Sequence, residues 1–248
     1  MNNFPERSAL IALSGGVDSA VLLAKAKAAG VTLHAATVIS EFTPVREVTA
    51  AEALAKRFAV PWHPIRISIL ADADIRQNPP ERCYLCKKII MQEMLSLAER
   101  LSLEAVFDGT YADDLAAGNR PGIRALQELG IISPFARTGA GKADILRWAR
   151  ELGIEDVPPS ACLATRIPQG TALTAELLST VDAAETILRD GGVSGILRVR
   201  FDGTRAVVET LPAVRETAKI YEQKLKQLGI EKVSYRDYTA GALWKNEQ

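Results

Sequence analysis

Long apolar runs are missing from this sequence of 248 residues: no stretch approaches the ~20 residues that would span a bilayer. The apolar part of the opening MNNFPERSALIALSGG is too short, and too interrupted by Ser and Gly, for a signal peptide. The expectation is a soluble cytoplasmic protein with no membrane partner. Cysteine is scarce, and its three copies cannot form a closed disulfide set; in a reducing compartment a C-x-x-C pair points to metal or redox work. Histidine is scarcer still, at two. Nor is there an excess of charge of one sign, since 30 Lys+Arg balance 30 Asp+Glu. The balance holds locally, with 19 of each in residues 1–170 and 11 of each in residues 171–248. A protein gripping long nucleic acid through many phosphates would carry more Lys and Arg than that. The expected ligand is a small molecule.

Hydrophobic residues at 48% and charged residues at 24% are the composition of a folded chain. Residues 1–170 alternate short apolar runs with helical patterns. Ala9–Leu13, Leu33–Ile39, Trp62–Ile67 and Ala105–Asp108 read as strands. Helices are expected at Val17–Ala29, from Thr43-Pro44 to about Phe58, at Tyr84–Leu101 and at Lys142–Glu151. Such alternation predicts an α/β fold with a parallel sheet covered on both faces, whose ligand lies at the carboxyl ends of the strands. After Gly170 the pattern changes. A helix capped by Thr174, strands Gly195–Phe201 and Arg205–Glu209 around Asp202-Gly203, a helix Ala213–Leu228 and a strand Lys232–Tyr238 make an α-β-β-α-β unit. The expected domains are therefore 1–170 and a smaller α+β domain, 171–248.

Ser14-Gly15-Gly16-Val17-Asp18-Ser19 falls between the first strand and the first helix. Two glycines let backbone approach a ligand, the helix start offers unpaired N–H groups, and Ser14 and Ser19 add hydroxyls. Asp18 is a candidate for Mg²⁺. The lysine of a Walker loop is missing, and Gly141-Lys142-Ala143 lacks the rest of that motif. A loop without that lysine suits a departing pyrophosphate better than transfer of the γ-phosphate. The six residues match the S-G-G-x-D-S signature and resemble the N-type PP-loop ATP pyrophosphatases, which adenylate a substrate. That resemblance implies a Rossmann-like ATP-binding domain.

All three thiols stand in polar loop motifs: Cys83 and Cys86 within Asn78-Pro79-Pro80-Glu81-Arg82-Cys83-Tyr84-Leu85-Cys86-Lys87, and Cys162 within Ala161-Cys162-Leu163-Ala164-Thr165-Arg166. Arg82, Lys87, Lys88 and Arg166 nearby favour thiolates. No fourth cysteine exists for structural zinc, and His34 and His63 stand in or near strands away from both motifs. Three thiolates can hold a [4Fe–4S] cluster with one iron open.

Together with the PP-loop, these cysteine segments, Asp108–Asp114 and Leu197-Arg198-Val199-Arg200 resemble the LarE family over nearly the whole chain. The resemblance implies an ATP-dependent, AMP-forming sulfur transferase of nickel-pincer (lactate racemase cofactor) biosynthesis. Its substrate would be pyridinium-3,5-biscarboxylic acid mononucleotide, whose carboxylates are adenylated and converted to thiocarboxylates. It implies ATP and Mg²⁺, and for three-cysteine members a [4Fe–4S] cluster on Cys83, Cys86 and Cys162 carrying a transferable sulfide. Single-cysteine members instead sacrifice the sulfur of the residue matching Cys162. A homotrimer or homohexamer is implied as well. Arg166 is expected to bind an anion beside Cys162. Arg198 and Arg200, on one strand face, suit phosphate or carboxylates, and Asp113 or Asp114 suits metal or substrate. The family usually has Asn where Tyr111 stands. Rival readings are a tRNA thiolase, which the balanced charge disfavours, a non-catalytic ATP sensor, which needs no thiol trio, and an amidotransferase-type synthetase, for which a glutaminase segment is lacking.

Overall fold

The computed structural model describes residues 4–118, 121–155 and 161–239. In chain order it runs β1 (Ser8–Ala12), α1 (Val17–Ala28), β2 (Thr32–Ile39), α2 (Val45–Arg57), β3 (Trp62–Arg66), α3 (Ala73–Arg76), α4 (Arg82–Arg100) and β4 (Ala105–Phe107). There follow α5 (Ala112–Ala116), α6 (Pro121–Glu128), α7 (Pro134–Arg137), α8 (Lys142–Glu151) and α9 (Ala175–Asp190). Strands β5 (Leu197–Phe201) and β6 (Arg205–Thr210), helices α10 (Arg215–Ile220) and α11 (Glu222–Lys226), and β7 (Lys232–Asp237) close the order.

Two compact units result: Met1–Ser40, Val45–Ile67 and Glu81–Val157 form the first, and Glu41–Pro44, Ser68–Pro80 and Pro158–Gln248 the second. The expected division at 170/171 was contiguous; the observed one falls earlier and is interrupted. Backbone bonds account for this. Within the second unit Leu163 N–H donates to the Phe42 carbonyl (3.0 Å), Gly170 to Asn78 (3.0 Å) and Leu173 to Arg76 (2.8 Å). The Asn78 amide also donates to the Pro168 carbonyl at 2.8 Å. These pairings link residues about ninety or more positions apart, beyond the reach of a local pattern.

The first unit is an α/β layer structure on a parallel sheet ordered β3-β2-β1-β4. Strands β1, β2 and β4 are largely buried on both faces, so their successive side chains go to opposite layers. Ala9, Ile11, Leu33, Ala35 and Phe107 pack with α1, α2 and α8, through residues such as Leu22, Ala51 and Ile145. Leu10, Ala36, Val38 and Val106 pack with α4 and α6, through Met91, Met94, Leu97 and Leu126. The layers fix α1 just beyond the carboxyl end of β1.

The second unit carries the sheet β5-β6-β7, antiparallel at β5/β6 and parallel at β6/β7. Asp202 builds the hairpin by accepting the N–H groups of Thr204 (3.0 Å) and Arg205 (2.7 Å), and Gly203 takes φ +103°. Thr174 Oγ1 caps α9 by accepting the Leu177 N–H at 3.2 Å. The single helix expected at 213–228 is broken at Tyr221, whose φ −93° and ψ 6° leave the helical basin. Its ring lies so close to Gly191 that a Cβ there would sit 2.3 Å from it. Packing against that bare backbone breaks what sequence periodicity presents as continuous.

Candidate functional site

The loop between β1 and α1 is shaped by its own residues. Gly15 has φ +80°, and a Cβ there would lie 2.5 Å from the Glu47 carbonyl oxygen, so glycine is required twice over. Gly16 is extended (φ −83°, ψ 163°) and stands as the N-cap of α1 without a side-chain cap. Ser19, only 4% exposed, donates its hydroxyl to the Gly16 carbonyl at 3.0 Å and lies 3.2 Å from the Ser14 hydroxyl. Ser14 N–H in turn donates to Ser19 Oγ at 3.3 Å. The two serines thus tie the loop's ends together, while the first turn of α1 adds N–H donors and the positive end of its dipole. Ser14, Gly15, Gly16, Val17, Asp18 and Ser19 form one continuous turn suited to an anion.

Gly109, just past β4, packs on this turn: a Cβ there would lie 3.3 Å from the Ser19 nitrogen. Beside it Asp108, 7% exposed, receives Lys87 Nζ at 3.3 Å, the Thr110 N–H at 2.8 Å and the Thr110 hydroxyl. Burial alone would raise its pKa, but Lys87 and the Thr110 bonds outweigh it and hold the carboxyl below the usual range. Asp113 Oδ2 accepts the Lys142 backbone N–H at 2.8 Å, and Asp114 Oδ2 faces the Tyr111 N–H at 3.5 Å. Asp113 thus supports the start of α8, and Asp114 that of α5.

One residue that the sequence marks only as a lysine without the rest of a Walker motif reaches the loop. Lys142, the first residue of α8, extends Nζ to Asp18 Oδ1 at 2.5 Å, across 124 positions of sequence. No local signal marks it, because the pairing is made by the packing of α8 against α1. Asp18 is partly exposed and can take a divalent cation together with ligand oxygens, though in this structure it is paired with Lys142.

The cysteines divide between the units. In the first, Cys83 and Cys86 occupy the first two turns of α4; Cys83 is exposed, and buried Arg82 brings Nη2 to 3.8 Å from its sulfur. In the second, Cys162 precedes a short 3₁₀ turn, Leu163–Arg166, and is partly buried. Among the described residues no three His, Cys, Asp or Glu side chains form a group able to hold a metal ion.

Arg166 departs from its expected role. It is wholly buried, with Nε on Glu185 Oε1 (2.8 Å), Nη2 on Glu185 Oε2 (3.3 Å) and Nη1 on the carbonyls of Ala161 (2.6 Å) and Cys162 (3.2 Å). Those bonds leave it no face for an anion; it holds the Cys162 turn in shape. Arg200 is similarly engaged, with Glu209 at 3.0 Å and the Thr165 carbonyl at 2.9 Å. Arg198, on the same face of β5 and also buried, donates to the Leu197 carbonyl at 2.9 Å. Its pKa is lowered, first by burial and then by neighbouring Arg166. Glu185 and Glu209, the acids that compensate this arginine group, were not singled out from sequence because their partners lie on other elements.

The parallel sheet with a glycine-bearing turn at the first strand–helix junction is that of a PP-loop ATP pyrophosphatase domain. The asparagine synthase family model matches residues 6–186. The chain therefore belongs to that family. Similar proteins include an uncharacterized protein of Methanocaldococcus jannaschii, 34% identical over 95% of this chain and 93% of its own. Another, from Synechocystis, is 35% identical over 82% of this chain and 76% of its own. A third is the pyridinium-3,5-bisthiocarboxylic acid mononucleotide synthase of Lactiplantibacillus plantarum, 31% identical over 83% of this chain and 75% of its own. The LarE resemblance thus holds at the level of family. Among the described residues no helix is long and apolar enough to cross a membrane.

Proposed function

We propose that this protein is an ATP-dependent, AMP-forming sulfur transferase acting on pyridinium-3,5-biscarboxylic acid mononucleotide. The observation that carries the proposal is the similarity to the Lactiplantibacillus synthase across most of both chains. Supporting it is the loop Ser14–Ser19, whose hydroxyls and α1 N–H groups suit a pyrophosphate leaving group. In this reading a substrate carboxylate oxygen attacks the α-phosphorus of ATP, and the bond to the bridging oxygen of pyrophosphate breaks. Mg²⁺ at Asp18 would offset phosphate charge. Sulfur then displaces AMP from the acyl adenylate, leaving a thiocarboxylate, and the second carboxylate follows the same course.

Cys162 is the sulfur-handling residue in both routes considered. The three-cysteine motif supports a sulfide carried with Cys83, Cys86 and Cys162 by an iron–sulfur cluster, which would spare the protein's own sulfur. The alternative is loss of the Cys162 sulfur itself. Arg166 and Glu185 act on either route as positioning residues for the Cys162 turn. Anaerobically purified protein is expected to contain iron and to turn over repeatedly with Cys162 intact by mass spectrometry. One sulfur per chain with dehydroalanine at 162 would decide for the sacrificial route. A tRNA thiolase is tested by tRNA binding at varied salt, where real phosphate contacts would make affinity fall steeply.

A further inference from the structure

An iron–sulfur cluster would draw on only one of the two chemistries open to a C-x-x-C pair; the other is dithiol–disulfide exchange. Cys83 and Cys86 lie in one unit and on one helix, so their relation is set locally. At the head of α4 the Glu81 carbonyl accepts both the Tyr84 N–H at 2.8 Å and the Leu85 N–H at 3.2 Å. The shorter bond spans three residues and tightens the opening turn toward 3₁₀ geometry, in which side chains three apart eclipse. Cys83 stands inside this turn and Cys86 three residues on, so both share one side of the helix. Cβ atoms of an ordinary helical pair at this spacing are ~5–6 Å apart, and a disulfide needs ~4 Å. A further tightening closes that gap at little cost, because the first N–H groups of a helix have no intrahelical bond to lose.

The opposite side of the turn is anchored. Tyr84 donates its hydroxyl to Glu128 at 2.7 Å, and the Arg124 guanidinium lies 3.6 Å from its ring centre, which ties the turn to α6. The two thiols differ in access: Cys83 is exposed and Cys86 only partly so. Buried Arg82 places Nη2 at 3.8 Å from the Cys83 sulfur, a cation beside any negative charge that forms there.

We propose that in the iron-free protein Cys83 and Cys86 reduce sulfane sulfur to sulfide, with a persulfide, R–S–SH, as the class of substrate. The Cys83 sulfur attacks the outer sulfur of the donor; the S–S bond of the donor breaks, and R–SH leaves. Cys83 then carries S–SH beside Arg82. The Cys86 sulfur attacks the Cys83 sulfur, the bond to the outer sulfur breaks, and that sulfur departs as HS⁻ with the electron pair. One persulfide and two thiols thus give R–SH, H₂S and a Cys83–Cys86 disulfide. The transferred sulfur gains two electrons and each cysteine sulfur loses one. A cellular dithiol reopens the pair by exchange. Sulfur in a thiocarboxylate is at the sulfide level, and displacement of AMP by HS⁻ moves no electrons, so a sulfane donor has to be reduced first. This deepens the sulfur-transfer reading above and rests on it, naming the source of its sulfide.

Full-length protein, freed of iron by chelation, reduced and desalted, is mixed with an equimolar amount of glutathione persulfide. The wild type is expected to release close to one sulfide per chain above the background set by the Cys83→Ser/Cys86→Ser double variant. Peptide mass spectrometry should then find Cys83 joined to Cys86. Cys86→Ser should retain one added sulfur on Cys83 and release sulfide roughly tenfold more slowly or worse. Sulfide release no greater than in the double variant overturns the assignment, as does a disulfide formed to Cys162 instead. Wild-type release by Cys86→Ser overturns it too. Cys86→Ala is read in the same way should the Ser variant melt early. AMP release from ATP and the dicarboxylate is followed separately in the wild type. If it fails while sulfide forms, the ATP-cleaving reading falls, which is a distinct result.

Discussion

A methyl group added at Gly15 would meet the Glu47 carbonyl at 2.5 Å on a backbone with φ +80°. The left-handed conformation alone costs about 1–2 kcal/mol for alanine, and the carbonyl belongs to a packed helix that cannot yield cheaply. Gly15→Ala is therefore expected to lower the thermal midpoint by several degrees and to abolish measurable ATP binding. Binding at wild-type strength would show that the turn is not where phosphate sits. Arg166 makes a second residue-scale case. Arg166→Met would strand Glu185 without its partner in the interior, at about 3–5 kcal/mol by denaturant unfolding. Replacing both by apolar residues should recover much of that loss. The loop was legible because its chemistry is packed into six consecutive residues. Lys142 and Glu185 were not, because their roles arise from partners on other helices or turns, and a buried cation looks the same in sequence as one that meets an anion.

At the scale of elements, the strand–helix alternation of the first unit was readable from periodicity, since a buried parallel sheet leaves unbroken apolar runs. The short helices α5, α6 and α7 were not anticipated; they are too brief to establish a period. Tyr221 shows the same limit, because the break between α10 and α11 is set by Gly191 on a different segment. Two strand ends carry pH dependence. On the adjacent strands β2 and β3, His34 Nδ1 and His63 Nε2 lie 2.8 Å apart. Burial, then the neighbouring His34, lowers the pKa of His63. The native state thus takes up fewer protons than the unfolded chain, and stability should fall as pH drops below about 6.5. In His63→Gln the slope of unfolding free energy between pH 7 and 5 should flatten; an unchanged slope would exclude the pair as its source. At the end of β4, Asp108 is lowered instead by Lys87 and Thr110 acting against burial. Its contribution is present above the ordinary carboxyl value near 4 and is lost as pH falls through the lower native value. Lys87→Met should shift the onset of acid unfolding to higher pH.

For the whole molecule, two units with separate cores divide the proposed labour: the first carries the loop, Lys142, Cys83 and Cys86, and the second carries Cys162 with its arginine–glutamate support. The second unit's hairpin was legible from Asp202-Gly203, but its two excursions from the N-terminal part were not, since only long-range backbone bonds assign them. Adenylation and sulfur delivery should separate under mutation. Cys162→Ala is expected to abolish the thiocarboxylate product while substrate-dependent AMP release persists within about tenfold of wild type, since loss of a sulfur nucleophile leaves the loop's donors untouched. The most direct test follows the bond broken in ATP. Protein incubated with ATP, Mg²⁺ and pyridinium-3,5-biscarboxylic acid mononucleotide should release AMP and pyrophosphate in equal amounts, and only when that dicarboxylate is present. ADP with inorganic phosphate, or AMP release indifferent to the dicarboxylate, would contradict the assignment of the loop to a leaving pyrophosphate.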